Sequence, residues 1–147
     1  MTIKDIYFYM DLIKDALNVN GEGNGPVPIG CVLVSGNGYI VKVNGLDIDH
    51  CELLALKEGI AMGWDLRQCT IIISCEPCSM CLTALCLMKI KNIYFGCYNK
   101  VFGALGGNFN LLNINPSLYK PNVLGGFMED YWSHLLMSFF CFRRQLT

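Results

Sequence analysis

The sequence lacks any hydrophobic run long enough to cross a membrane. Its longest apolar stretches, residues 78–88 and 135–142, fall short of the ~18 residues that a membrane helix needs, and Lys89 and Arg143 end them. Charged residues are scattered through the N-terminal region, which breaks the uncharged core of a signal peptide. These absences predict a cytoplasmic protein with no membrane partner.

Charged side chains are also scarce. They make up 16% of the 147 residues, while hydrophobic residues make up 53%, a balance that excludes a disordered or fibrous chain. A chain of this length suits one ordinary domain that buries ~70% of the surface exposed on unfolding. We therefore expect residues 1–147 to form a single domain with a hydrophobic core.

Nine cysteines are present, but they do not indicate a disulfide scaffold. The number is odd, the chain is long, and no export signal precedes them. Reduced thiols in a cytosolic protein mostly pack as small hydrophobic side chains, and a minority bind metal ions. We expect Cys31, Cys69, Cys97 and Cys141 to belong to the packing group.

The net charge of −1 is unevenly distributed along the chain. Residues 1–76 contain five basic and ten acidic side chains, whereas residues 77–128 contain four lysines and no acidic residue. Residues 129–147 are balanced. Positive charge concentrated in the second half favours contact with a phosphate backbone.

Hydrophobic periodicity and turn residues predict an alternation of helices and strands. Thr2 and Asp5 form a predicted capping box at the first helix, and Asp49 and Pro77 mark the starts of the next two. The third helix joins two strands that we expect to be parallel, and residues 103–125 are predicted to be loop with one short strand or helical turn. The predicted helices cover residues 2–17, 49–62, 77–88 and 128–144, and the predicted strands cover residues 29–34, 39–43, 70–74 and 92–95.

Two short motifs carry the predicted chemistry. The first contains His50 and Glu52 at the start of one predicted helix, and the second contains Cys78 and Cys81 at the start of the next. Cysteines three positions apart in a helix point to one side, and the helix N-terminus favours their thiolate forms. With His50 they supply three ligands for a borderline-soft ion such as zinc, and the same ligands also accept iron.

Three protein ligands leave a fourth position on the metal, which is the arrangement of catalytic zinc. Zinc activates a water molecule there, and Glu52 can receive its proton and pass it to a leaving group. The combination is the H-x-E…P-C-x-x-C signature of zinc-dependent nucleobase deaminases. The sequence therefore predicts a hydrolytic enzyme with His50, Cys78 and Cys81 as metal ligands.

Three other interpretations use parts of the same motifs. Glu52 could pair with Asp49 in a capping box, as in a zinc-stabilised binding module without catalysis. The C-x-x-C segment also fits a thioredoxin-like redox site, although that leaves His50 and Glu52 without a role. A closed structural zinc site needs a fourth ligand. The candidates for that ligand are Cys51, Cys75 and Cys86.

The chain resembles the cytidine-deaminase-like superfamily and, within it, the bacterial tRNA-specific adenosine deaminases. Beyond the two motifs, residues 28–34 resemble the family's first strand, and Asn44 resembles its asparagine after the hairpin. Residues 95–96 and 103–104 resemble its strand and loop beyond the metal, and residues 139–144 resemble its C-terminal helix. The resemblance covers nearly the whole chain.

The resemblance implies a three-layer α/β/α domain with a mixed, mostly parallel five-stranded sheet, forming a homodimer. It implies zinc as the cofactor, Glu52 as the proton carrier, and adenosine in a tRNA anticodon loop as the substrate. Asn99 stands where the family commonly has an aspartate near the ribose. The residues that would contact the substrate are Ile29, Asn44, Asn99, Phe140, Arg143 and Arg144.

We expect the wobble adenosine to be converted to inosine, with an arginine tRNA of anticodon ACG as the substrate. The rival substrate is a free base or nucleoside of the guanine or cytosine type, which would not need Arg143, Arg144 or the lysines of residues 89–120. An RNA affinity that falls steeply with added salt separates the two, because only the first requires phosphate contacts.

Overall fold

The computed structural model describes residues 1–18 and 25–146. Its helices are α1 (Ile3–Leu17), α2 (Cys51–Ala61), α3 (Ser79–Leu87), α4 (Leu111–Ile114) and α5 (Glu129–Leu146), with a short 3-10 turn at Leu66–Gln68. Its strands are β1 (Gly30–Ser35), β2 (Gly38–Val43), β3 (Thr70–Cys75), β4 (Asn92–Cys97) and β5 (Asn122–Leu124). None of the helices in these ranges is both long and apolar enough to cross a membrane.

The five strands form one mixed sheet in the order β2-β1-β3-β4-β5. β1 is antiparallel to both β2 and β3, whereas β3 pairs with β4, and β4 with β5, in parallel. The expected mixed sheet and the predicted β3-α3-β4 crossover are confirmed. Parallel pairing accounts for half of the sheet rather than most of it, because the opening hairpin places β1 against β3 in the antiparallel direction.

The sheet lies between two helical layers. Side chains that alternate along a strand enter separate clusters because they point to opposite faces. Leu33 and Ile71 pack in the cluster that includes residues of α2 and α3. Val32 and Ile72 pack in the cluster that includes residues of α1 and α5. The predicted three-layer α/β/α architecture is therefore confirmed.

The first residues of the helices show which local sequence signals correctly predict where a helix begins. The capping box of α1 is present, with the Asp5 N–H donating to Thr2 Oγ1 at 3.2 Å and the Thr2 N–H donating to the Asp5 carboxylate at 2.7 Å. The predicted starts at Asp49 and Pro77 are wrong. The N-cap residues are instead His50 for α2 and Cys78 for α3, and neither side chain caps its helix. Both side chains are thereby directed to other partners.

Residues 103–125, predicted to be loop with one short strand or helical turn, contain both a helical turn, α4, and a strand, β5. The register of β5 begins with Asn122 opposite Asn92 of β4. The side-chain amides of these two residues also hydrogen-bond at 2.9 Å. The strand forms because the unpaired edge of β4 offers backbone hydrogen bonds to it. No local pattern in residues 122–124 predicts this pairing.

Candidate active site

Three potential metal ligands meet where β3 ends and α2 and α3 begin. The Nδ1 atom of His50 lies 3.6 Å from Sγ of Cys78 and 3.4 Å from Sγ of Cys81. The three ligand atoms lie within 4.8 Å of one another, which suits tetrahedral coordination of one ion. A nitrogen with two sulfurs is a donor set that zinc accepts. The residues present therefore fit the expected metal.

The other candidate ligands lie elsewhere. The group formed by the described residues has three members and does not include Cys51, Cys75 or Cys86. The Cys51 thiol instead donates to Oε1 of Glu52 at 3.0 Å, and Cys75 of β3 lies opposite Cys97 of β4 in the sheet. These contacts do not support a closed structural zinc site.

The two ligand thiols have opposite pKa shifts. A hydrogen bond from the Cys81 thiol lowers the pKa of Cys78 to about 5, with help from the main-chain N–H groups of Cys81 and Met80 and from His50. The same hydrogen bond and burial raise the pKa of Cys81. The sequence predicts that the helix N-terminus favours both thiolates. Two buried neighbouring thiols share one proton more readily than they both ionise, and a bound metal ion would favour the thiolate form of both.

Glu52 lies in the first turn of α2, and its side chain is 4% exposed. Burial raises the pKa of its carboxyl group, and the hydrogen bond from Cys51 acts in the opposite direction. An upward shift brings the pKa of a carboxyl group closer to the working pH, which suits a group that both accepts and releases a proton. The capping-box interpretation of Glu52 is wrong, since Asp49 is not the N-cap of α2.

A cavity of about 470 Å³ opens beside the ligand group. His50, Glu52 and Cys78 form part of its lining. A volume of this size holds a small ligand such as a nucleobase with its ribose. Its walls also contain Val27, Ile29, Asn44, Cys75, Glu76, Ser79, Met80, Asn99, Phe102 and Phe140.

Comparison with known proteins agrees with this arrangement. Residues 4–97 match the family described as "Cytidine and deoxycytidylate deaminase zinc-binding region". The "tRNA-specific adenosine deaminase" of Bacillus subtilis is 32% identical over 148 aligned residues, which cover 95% of this chain and 90% of that protein. The chain belongs to the tRNA-specific adenosine deaminase family. It is a zinc-dependent hydrolytic enzyme.

Two solved structures show the same fold as this deaminase. One comes from a study of A-to-I editing by tRNA:A34 deaminases at the wobble position of transfer RNA, with a TM-score of 0.74, 24% identity, and coverage of 88% of this chain and 99% of that one. The other is a guanine deaminase from Nitrosomonas europaea, with a TM-score of 0.66, 18% identity, and coverage of 91% and 81%. At these identities the likeness concerns the fold alone.

Four of the six predicted substrate contacts of the deaminase line the cavity. Two of these four residues accept hydrogen bonds from nearby main-chain N–H groups. Asn44 accepts a 2.8 Å hydrogen bond on Oδ1 from the Cys51 N–H. Asn99 accepts hydrogen bonds on Oδ1 from the N–H groups of Val101 and Phe102, at 2.9 and 3.0 Å. Both side chains are therefore oriented by the backbone around them. The four residues are Ile29, Asn44, Asn99 and Phe140.

The two arginines of α5 take different positions. The Arg143 guanidinium donates to the Gly25 carbonyl and lies over the Phe139 ring, 4.4 Å from its centroid. It does not line the cavity of the deaminase. Arg144 lines an adjoining cavity of about 460 Å³ that shares Asn99 and Phe140 with the first. The structure thus brings Arg144, but not Arg143, next to the site.

The lysines of residues 77–128 do not form one face of the deaminase. Lys100 lines the adjoining cavity. Lys89 and Lys91 precede β4, and Lys120 precedes β5. Because the site lies at the opposite, carboxyl end of β3 and β4, these three side chains are a strand length away from it. The basic half predicted from the sequence therefore contributes one lysine to the neighbourhood of the site.

Glu76 is a residue of the site that the sequence analysis missed. Glu76 is 4% exposed, and its carboxylate accepts three main-chain hydrogen bonds from the segment after β4. The available signal was an acidic residue at the end of a fully buried strand, directly before the P-C-x-x-C motif. A buried acid needs partners, but the sequence does not identify them.

Proposed function

We propose that the protein deaminates the wobble adenosine of a tRNA anticodon loop hydrolytically, giving inosine and ammonia. The observation that carries this proposal is the meeting of His50, Cys78 and Cys81 with the buried Glu52 at one cavity. The similarity to tRNA-specific adenosine deaminases over 95% of the chain supports the choice of substrate, because it extends well beyond the metal motifs.

Glu52 carries the proton in the proposed reaction. His50, Cys78 and Cys81 would hold zinc, which would act as a Lewis acid to activate water for attack on C6 of adenine. Glu52 accepts a proton from that water and delivers it to the ring nitrogen, and it then transfers the second proton to the departing amine as the C6–N bond breaks. Water is consumed, ammonia leaves, and no redox partner is needed.

The cavity walls hold the base in the proposed complex. Ile29 packs against one face of adenine, and Asn44 hydrogen-bonds its edge. Because the Asn44 Oδ1 accepts from the Cys51 N–H, we assign its amide nitrogen as the donor toward the base. Asn99 lies on the ribose side, and Phe140 stacks at the mouth, where it is 39% exposed.

The RNA would approach along α5 and the adjoining cavity. Lys100 and Arg144 line that cavity and supply positive charge for the phosphates beside the target nucleotide. Arg143 contributes to RNA binding indirectly, because its hydrogen bond to the Gly25 carbonyl holds α5 in place. We propose an arginine tRNA with anticodon ACG as the substrate and the cytoplasm as the compartment.

We also propose a homodimer. Four apolar side chains are mostly exposed, two in the segment before His50 and two in the segment after β4: Leu46 at 63%, Ile48 at 70%, Val101 at 66% and Phe102 at 68%. Exposed large apolar side chains of this kind can form a surface that another chain covers. Sedimentation of the zinc-loaded protein at micromolar concentration should give twice the mass of 16.4 kDa. A monomer at that concentration would contradict this part of the proposal.

The deciding experiment incubates the zinc-loaded protein with the arginine tRNA and sequences the product by reverse transcription, which reads inosine as guanosine. We expect conversion at the first anticodon position only. A matched tRNA with guanosine at that position serves as the control. Absence of conversion by folded, zinc-loaded protein would contradict the proposal, and release of ammonia from guanine or cytosine would then establish a free-base deaminase.

A further inference from the structure

Glu76 joins the end of β3 to the segment that follows β4. Its Oε1 accepts the N–H of Asn99 at 2.8 Å. Its Oε2 accepts the N–H groups of Leu105 at 2.7 Å and Gly107 at 2.8 Å. Three main-chain donors are enough to hold a carboxylate that is almost fully removed from water. The segment 99–107 is therefore wrapped around one acidic side chain.

Two glycines allow this close wrapping. A Cβ atom at Gly103 would lie 2.3 Å from Oε1 of Glu76, and one at Gly107 would lie 2.1 Å from it. Neither position has a backbone angle that demands glycine, whereas Gly106 does, at a φ of +120°. The absence of side chains at Gly103 and Gly107 is required by the space that the carboxylate takes up.

The same segment is attached to the metal-binding turn. The Ala104 N–H donates to the Pro77 carbonyl at 3.1 Å, and Cys78 and Gly103 form an antiparallel bridge. Glu76 and Cys78 thus hold the segment from two sides, two residues apart along the chain. Any displacement of the segment would move it relative to the metal ligand.

The segment also carries part of the cavity wall. Asn99 and Phe102 both line the active-site cavity, and the Asn99 Oδ1 accepts the Phe102 N–H at 3.0 Å. The Asn99 N–H is one of the three donors to Glu76. The carboxylate therefore directly holds the segment that carries Asn99 and Phe102 of the cavity wall.

We propose that Glu76 is a positioning residue for the deamination, which sets the places of Asn99 and Phe102 around the bound nucleoside. Its oxygens are engaged by main-chain donors, so it acts through the segment and not as a proton carrier. The inference rests on the proposed function insofar as the kinetic test uses RNA.

Amide hydrogen exchange, followed by NMR on the zinc-loaded full chain, tests the contact without substrate. In Glu76→Gln the new NH₂ group faces main-chain donors. We expect the amide protons of Asn99, Leu105 and Gly107 to exchange about tenfold faster or more. Glu58→Gln makes the same chemical change on α2, away from the cavity, and should leave these rates unchanged.

Kinetics test the consequence for the substrate. Glu76→Gln should lower kcat/KM for the tRNA by about tenfold or more, mainly through KM, because the wall contacts are made before and during the reaction. Gly107→Ala pushes the segment away from the same carboxylate and should raise KM in the same way. The double variant should lose less than the product of the two single losses, since both break one contact. Zinc content should stay at one per chain.

Three results would overturn the positioning role. The first is an unchanged exchange rate at the three amides in Glu76→Gln. The second is an unchanged KM in a folded, zinc-loaded variant. The third is a loss of kcat alone, which would assign proton transfer to Glu76. If wild-type protein does not deaminate RNA, the proposed function fails, while the exchange experiment still decides the contact.

Discussion

At the scale of single residues, the chemistry depends on side chains at helix N-termini. His50 and Cys78 occupy N-cap positions, and Glu52 and Cys81 lie in the first turns of the same two helices. Such positions direct side chains toward one another when two helices start at the same edge of a sheet. The two motifs are sufficient to identify these residues, because each step of the hydrolysis needs a particular ligand or proton carrier.

Replacing the proton carrier should separate catalysis from metal binding. Glu52→Gln keeps the shape of the side chain but cannot accept and release a proton, so turnover should fall ~10²–10⁴-fold. Zinc content, measured by atomic emission, should not change, because Glu52 is not in the ligand group. Glu58→Gln, on the same helix but outside the cavity lining, should keep full activity. Turnover close to wild type in Glu52→Gln would show that the proton carrier lies elsewhere.

Two cysteines of α3 allow a matched test of the metal site. Cys81 belongs to the ligand group, whereas Cys86, in the same helix and also buried, does not. Cys81→Ser should lose zinc and activity because an alcohol is a poor zinc ligand at neutral pH. Cys86→Ser should keep one zinc per chain. Equal zinc loss in both variants would mean that unfolding, and not ligand removal, causes it.

At the scale of elements, the docking of α5 on β4 completes the site, since α5 carries Phe140 and Arg144. Trp132 of α5 is 1% exposed and lies against Gly96 of β4, where an added Cβ would be 2.4 Å from the indole Cδ1. The sequence predicted α5 from its periodicity. It could not show that the Trp132 indole ring occupies the space that a side chain at position 96 would need.

Substitutions of Trp132 should show how this docking is stabilised. Trp132→Ala leaves a large cavity and should lower the free energy of unfolding by ~3–5 kcal/mol. The indole N–H is buried and finds no acceptor among the described residues. Trp132→Phe removes that unpaired donor and should cost less than half as much. Urea denaturation measures both values. An equal loss of unfolding free energy in Trp132→Ala and Trp132→Phe would indicate that the indole nitrogen has a hydrogen-bond partner in solution.

At the scale of the whole molecule, the fold redistributes the charge that the sequence groups together. Of the four lysines in residues 77–128, Lys100 alone lines a cavity next to the site. The others precede β4 and β5 at the far end of the sheet. Linear charge patterns therefore overstate the size of a binding surface, because consecutive strands and helices carry their ends to opposite sides of the domain.

Lys100 should accordingly contribute to RNA affinity through a phosphate. Lys100→Gln should weaken tRNA binding and reduce the slope of log K against log salt by about 0.7, the value for one phosphate of a single strand. Lys57 is exposed on α2 and lines neither cavity, so Lys57→Gln should leave the slope unchanged. Fluorescence anisotropy across a salt series measures both. A normal slope in Lys100→Gln would place the RNA on another surface.

The amino-acid sequence was enough to predict the reaction type, the ligand set and the order of the main elements. These depend on short-range information: which side chains bind zinc, how far apart they stand on a helix, and where apolar residues repeat. Tertiary packing was needed to establish that β1 lies antiparallel to β3, that Arg143 holds Gly25, and that Glu76 holds residues 99–107. Each of these is a pairing between distant segments, and its energy depends on packing and hydrogen bonds that no local pattern specifies.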